Sequence, residues 1–78
     1  MAMTKAYILI ETGVGQSVNV VNALISKHGV LSADRVAGPY DVIAVIEAEG
    51  LKSVGDFVTE HVHTIGGIIR TVTCLAVG

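Results

Sequence analysis

Hydrophobic positions change period repeatedly along the chain, and each change marks a new element. From Ala6 to Glu11 the aliphatic and aromatic residues predict a strand, ended by Gly13 and Gly15. Between Gln16 and His28 the spacing becomes helical, with Val18, Val21, Leu24, Ile25 and His28 along one stripe. Gly29 then suits a left-handed helix end. Val30 to Ala37 predicts a second strand, closed by Gly38-Pro39. Asp41 to Ala48 is a third, so apolar that a central position is expected. Leu51, Val54, Phe57, Val58 and Val62 predict a second helix from Leu51 to Val62, although Gly55 weakens it by up to ~1 kcal/mol. Gly66-Gly67 turns the chain into a last strand, Ile68 to Val77.

The order is strand, helix, strand, strand, helix, strand: two β-α-β halves in one α+β domain spanning residues 1–78. In this split arrangement the four-stranded antiparallel sheet has its first and third strands inside and its second and fourth at the edges. Right-handed crossovers place both helices on one face of the sheet.

That geometry exposes a conflict. A sheet covered on one face alternates apolar and polar residues, and this one does not. Ala6, Ile8 and Ile10 fit the covered face, as do Val42, Ala44 and Ile46. Yet Tyr7 and Leu9 point the other way beside Glu11, and so do Ile43 and Val45 between Asp41 and Glu47. On the last strand, Ile69 and Leu75 are expected to share that outer face with Thr71 and Thr73. An apolar sheet face of this size marks an interaction surface. The simplest partner is a second copy, packed sheet to sheet about a two-fold axis through Tyr7, Leu9, Ile43, Val45, Ile69 and Leu75.

Composition supports this picture. A chain of 78 residues buries a modest core, while 51% of its residues are hydrophobic, so some of that surface is expected to be buried between chains. The longest uncharged run, Thr12 to Ser26, is broken by glycines, Gln16 and asparagines, and no stretch reaches the roughly 20 apolar residues of a membrane span. The start runs straight into a strand without a leader pattern, and the single cysteine, Cys74, has no internal partner; both fit a cytoplasmic chain. Net charge is −2 and the five basic residues are scattered, so direct nucleic-acid binding is not expected.

Chemistry concentrates at Gly38-Pro39-Tyr40-Asp41. Pro39 stiffens the turn, Gly38 admits a ligand carboxylate close to the backbone, and Asp41 stands where a carboxylate can hold an ammonium group. Thr71 and Thr73, two apart on one strand, aim hydroxyls at one face and can complete the polar contacts. The set suits a zwitterionic amino acid. Composition alone favours the plainer reading, a Pro-Tyr-Asp turn with two ordinary strand threonines.

Other candidates carry less. Thr12-Gly13-Val14-Gly15-Gln16 opens the first helix but lacks the Lys-Ser/Thr of a phosphate loop. His61 and His63 lie two apart with no further ligand nearby, which predicts surface residues and no metal site. His28 is expected half-buried or capping, and Cys74 a small packed side chain beside Arg70 on its face. No base and orienting group accompany any nucleophile, and no acidic pair has the look of an acid–base couple, so neither catalytic residues nor a cofactor are implied.

With its segments placed, the chain resembles the ligand-sensing (RAM) domain of the Lrp/AsnC transcription regulators over Ala6 to Val77. Gly38-Pro39-Tyr40-Asp41-Val42 is similar to that family's Gly-x-Tyr/Phe-Asp turn, and Gly67-Ile68-Ile69-Arg70-Thr71-Val72-Thr73 to its Gly-Val-x-x-Thr-x-Thr strand. The resemblance implies a ferredoxin-like fold, dimers formed through the sheets, rings of dimers, and amino acids bound between dimers. Gly38, Tyr40 and Asp41 would belong to that site, with Thr71 and Thr73 lining it. The chain resembles the stand-alone form, without the helix-turn-helix domain of full-length members, so a role in transcription would be indirect, for example by mixed assembly with a full-length relative. Two other readings stay open: an ACT-like amino-acid module using Gly13-Val14-Gly15, and a small dimeric enzyme using Tyr7, Tyr40 or a histidine in a sheet-lined cavity. A purely structural adaptor is the blandest.

Overall fold

The computed structural model describes residues 3–78. Its elements run β1 (Thr4–Thr12), α1 (Ser17–Ile25), β2 (Val30–Arg35), β3 (Val42–Ala48), α2 (Gly50–Phe57) and β4 (Ile68–Leu75). A π-helical turn, Val58–Val62, prolongs α2. The sheet order is β2-β3-β1-β4 with antiparallel neighbours throughout. The ferredoxin-like β-α-β-β-α-β arrangement and its two inner strands are therefore as the hydrophobic pattern predicts.

The core lies between the sheet and the helices. Ala6, Ile8 and Ile10 of β1 and Val42, Ala44 and Ile46 of β3 are buried beneath Val20 and Leu24 of α1, with Val54, Val58 and Val62 from the second helical segment. The helices differ from expectation in extent and stripe. The first ends at Ile25, so His28 stands beyond it and is exposed. Val18, Ile25 and Leu51 are 47%, 55% and 67% exposed. A short helix on a four-stranded sheet buries only a narrow stripe, and these residues fall on its margins.

The other face of the sheet carries no helix. Across it, Ile43, Leu9 and Val72 form one row and Val45, Tyr7 and Cys74 the next, since each is a direct cross-strand partner of its neighbour. Charged pairs close the patch at both ends. Lys5 lies opposite Glu47, with its Nζ 5.5 Å from the Tyr7 ring centroid. At the other end Arg70 Nη2 stands 3.3 Å from Glu11 Oε1.

Here β4 departs from expectation. Thr71, Thr73 and Leu75 are opposite Ile10, Ile8 and Ala6, which puts them on the helix side, whereas Arg70, Val72 and Cys74 occupy the open face. The cause is a bulge: Glu11 pairs with Arg70 and Thr12 with Ile68, leaving Ile69 without a partner and 64% exposed. Ile69 and Leu75 thus leave the open-face set, and Val72 and Cys74 join it. Cys74 is exposed rather than packed, because no helix among the described residues covers that face.

Candidate ligand site

Asp41 sits where β3 begins, and three backbone contacts fix its place. Its N–H donates to Ile10 O at 2.9 Å, its carbonyl accepts from Val36 N–H at 2.9 Å, and its Oδ2 accepts from Thr12 N–H at 2.9 Å. The last bond satisfies an amide at the end of β1 that has no strand partner on that side, since the β1–β3 pairing stops at Ile10 and Val42. The Val36–Asp41 bond closes the turn carrying Gly38, Pro39 and Tyr40. No heavy atom lies within 4 Å of a Cβ built on Gly38, so the turn's tip is open to an approaching group.

A cleft of about 370 Å³ opens beside this turn, lined by Ser17, Arg35, Val36, Ala37 and Asp41. Arg35 is the last residue of β2, opposite Val42, and its Nε donates to Ser17 Oγ at 3.1 Å. The acid of the turn therefore shares its cleft with a base and a hydroxyl that the linear motif does not contain. Neither Arg35 nor Ser17 is singled out by sequence reasoning. The signal that would find Arg35 is the strand register, which folds residues 35 and 42 onto each other.

Thr71 and Thr73 lie elsewhere. They belong to β4, on the far side of β1 from Asp41, so two strand spacings, roughly 10 Å, separate them from β3. Thr71 lines a second cleft of about 410 Å³ with His63, Ile68, Ile69 and Arg70. His63 Nε2 and Thr71 Oγ1 are 2.9 Å apart, a link from the end of the second helical segment to the edge strand. Both histidines of that segment are exposed; His61 meets the Phe57 ring at 5.2 Å between centroids. One chain thus holds two clefts at one end of the sheet; of the predicted site residues Asp41 lines one and Thr71 the other, while Gly38, Tyr40 and Thr73 line neither.

Gly67 packs against Gln16 at the turn into β4. Its φ is +98°, and a Cβ there would come 2.9 Å from Gln16 Cβ. Its carbonyl accepts from Gly13 N–H at 2.8 Å, tying the start of β4 to the loop before α1. Any larger residue would push these segments apart.

Away from the clefts, Lys52 Nζ lies 2.9 Å from Asp56 Oδ2, and this hydrogen bond raises the lysine above its ordinary range. Among the described residues no three of His, Cys, Asp and Glu gather as metal ligands. No described helix is long and apolar enough to cross a membrane.

A four-stranded antiparallel sheet with helices on one face, an apolar second face and clefts at the loop end defines a small ferredoxin-like α+β domain. Comparison with known proteins narrows the class. The model of the Lrp/AsnC ligand-binding domain matches residues 5–78, and the chain belongs to that family. It is similar to hypothetical protein PHS023 from Pyrococcus horikoshii, at 32% identity over 95% of this chain and 89% of that one, with a TM-score of 0.88. It is similar also to FFRP-DM1, at 32% identity over 95% of this chain and 99% of that one, with a TM-score of 0.89. The transcriptional regulator NMB0573 of Neisseria meningitidis, solved as a complex with L-Met, shares the fold at 13% identity and a TM-score of 0.84; 96% of this chain matches 50% of that one. No curated protein sequence matches the chain.

Proposed function

We propose that the chain is a self-assembling sensor of amino acids, without catalytic activity, acting on transcription or amino-acid metabolism through its assembly state. Its membership of a ligand-binding-domain family carries this reading. The open apolar face, bounded at both ends by charged pairs, supports a dimer packed sheet to sheet, because an apolar centre with a polar rim is the anatomy of a protein interface. The L-Met complex of NMB0573 supports an amino acid as ligand. The division of Asp41 from Thr71 and Thr73 supports a further contact between dimers, in which one copy's Asp41 cleft meets another copy's threonine edge. Mixed assembly with a full-length Lrp/AsnC relative is the route by which such a chain would reach DNA.

A ligand shifts assembly only through different affinity for the assembled and dissociated forms. Native mass spectrometry and titration calorimetry across the twenty L-amino acids test the reading. A subset of amino acids is expected to bind and to change the distribution of oligomers. A chain that stays monomeric at high concentration, with no heat from any amino acid, sinks it.

A further inference from the structure

We propose that the end of the sheet away from the Gly38–Asp41 turn holds a second binding site, built around the Phe57 ring, for a small carboxylate with an apolar body. The site is independent of the sensing reading above. Strand β3 separates the two places: it starts at Val42 beside the turn and ends at Ala48 beside Phe57's cleft, roughly 20 Å further on.

Two adjoining clefts meet there and share His28 and Phe57. One, of about 450 Å³, is walled mainly by apolar groups: Met3, Leu31, Ala48 and the Phe57 ring. The other, of about 310 Å³, is lined by Lys27, His28, Phe57 and His61. Three of those four side chains carry N–H donors and none is acidic. Each imidazole keeps at least one N–H to donate in either protonation state, and the Lys27 ammonium adds a full charge. The ion pairs of the described residues are Lys52 with Asp56 and Arg70 with Glu11, and Lys27 is in neither. Glu47 is the single acid lining either cleft, and it stands across the sheet from Lys5. Apolar space beside a set of donors without a matching acid is complementary to an anion with a hydrophobic tail. Clefts of a few hundred Å³ suit a small molecule.

The backbone holds both walls in place. Lys27 and His28 lie on the turn between α1 and β2, which three hydrogen bonds pin. Lys27 N–H donates to Leu24 O at 3.0 Å, Val30 N–H to Lys27 O at 3.3 Å, and Glu47 N–H to Gly29 O at 3.0 Å. Gly29 adopts a φ of +96°, which favours glycine, and a Cβ there would stand 3.7 Å from Phe57 Cε2. The turn's backbone therefore lies close beside the ring. His61 meets the same ring, with centroids 5.2 Å apart and planes tilted by 44°. It is carried by the π-helical turn Val58–Val62, a departure from α-helical geometry that recurs at functional sites. Phe57 itself is partly buried against the core, which makes its ring a fixed floor among the donors.

The probe is phenylacetate, compared with phenylacetamide, which keeps the apolar body and loses the charge. Backbone amide shifts of the full chain are followed by two-dimensional NMR through each titration, and dissociation constants are read from them. Lys27→Ala and His61→Ala each remove one donor, and both side chains lie outside the buried core, so the variants are expected to fold. Lys52→Ala removes an exposed lysine that lines neither cleft and controls for net charge.

Phenylacetate is expected to saturate, with shifts centred on Lys27 to Gly29, Phe57 and His61, and phenylacetamide to bind at least about tenfold more weakly. Lys27→Ala and His61→Ala should each weaken phenylacetate at least about threefold and leave phenylacetamide unchanged, while Lys52→Ala alters neither. The assignment is overturned if acid and amide bind alike, if the shifts centre on the Gly38–Asp41 turn, or if nothing saturates by about 10 mM. It is overturned too if Lys27→Ala or His61→Ala binds phenylacetate as the unaltered chain does, or if Lys52→Ala weakens it as much. Shifts of the same amides with protein concentration alone would make the cleft a contact between copies and also overturn it. The sensing reading is tested by the amino-acid panel and stands or falls separately.

Discussion

On its helix side the sheet presents Ala6, Ile8, Ile10, Val42, Ala44 and Ile46, each exposed by 1% or less. On the other side it presents Tyr7, Leu9, Ile43, Val45 and Val72, side chains of similar size and polarity. Yet Leu9, Ile43 and Val45 are only half-buried by their strand neighbours, while Tyr7 and Val72 remain 37% exposed. The helices alone account for the difference. The same strand chemistry forms a core where the chain's own helices cover it, and an open apolar face, the surface proposed for dimerisation, where they do not. Charge marks which is which: Lys5 with Glu47, and Glu11 with Arg70, frame the open face, whereas among the described residues no charged side chain is buried on the other.

The sharpest way to break that comparison is to cut one side chain from each face. Ile8→Ala, beneath the helices, is expected to lower stability by about 2–5 kcal/mol, because the cavity it leaves cannot collapse fully in so small a core. Chemical denaturation measures this directly. Leu9→Lys, one residue along, should hardly alter the folded monomer but raise the dimer dissociation constant at least about a hundredfold, since the interface would bury an unpaired charge. Sedimentation over a range of concentrations reads the effect. If Leu9→Lys unfolds the chain as Ile8→Ala does, the two faces do not differ in role. Smallest of the three is the rim. Arg70→Ala breaks an exposed pair with Glu11 and should change stability by less than about 1 kcal/mol, with its effect shrinking further as salt rises.

The Lys52–Asp56 pair gives a check on pH. Its lysine is shifted upward, so any stabilisation is fully present at neutral pH and is lost only as pH rises past the lysine's raised titration. Both partners are exposed, so melting temperatures of Lys52→Ala and the unaltered chain should coincide at pH 7.

Element order and the covered faces of β1 and β3 were legible because each rests on a local period: 3.6 for helices, 2 for strands. The faces of the last strand, Ile68–Leu75, were not, although the strand itself was expected. Its two parities carry similar chemistry: Ile69, Thr71, Thr73 and Leu75 on one, Ile68, Arg70, Val72 and Cys74 on the other. With a one-residue bulge at Ile69, alternation alone assigns neither set to a face. The candidate site divides the same way. The turn from Gly38 to Asp41 shows itself in a contiguous run of residues, whereas Arg35 and Ser17 reach Asp41 only through the β2–β3 register and the start of α1.

Local spacing of apolar residues, glycines and a proline was enough to set the class of fold, the inner strands and the excess of apolar surface, since each depends on neighbours a few positions away. Which side chains of the edge strand face outward, and which base shares a cleft with the acid of the turn, depended on hydrogen bonds between strands far apart in the chain. A one-residue slip in such a ladder reverses every side chain, and no local pattern in this sequence was strong enough to forbid it.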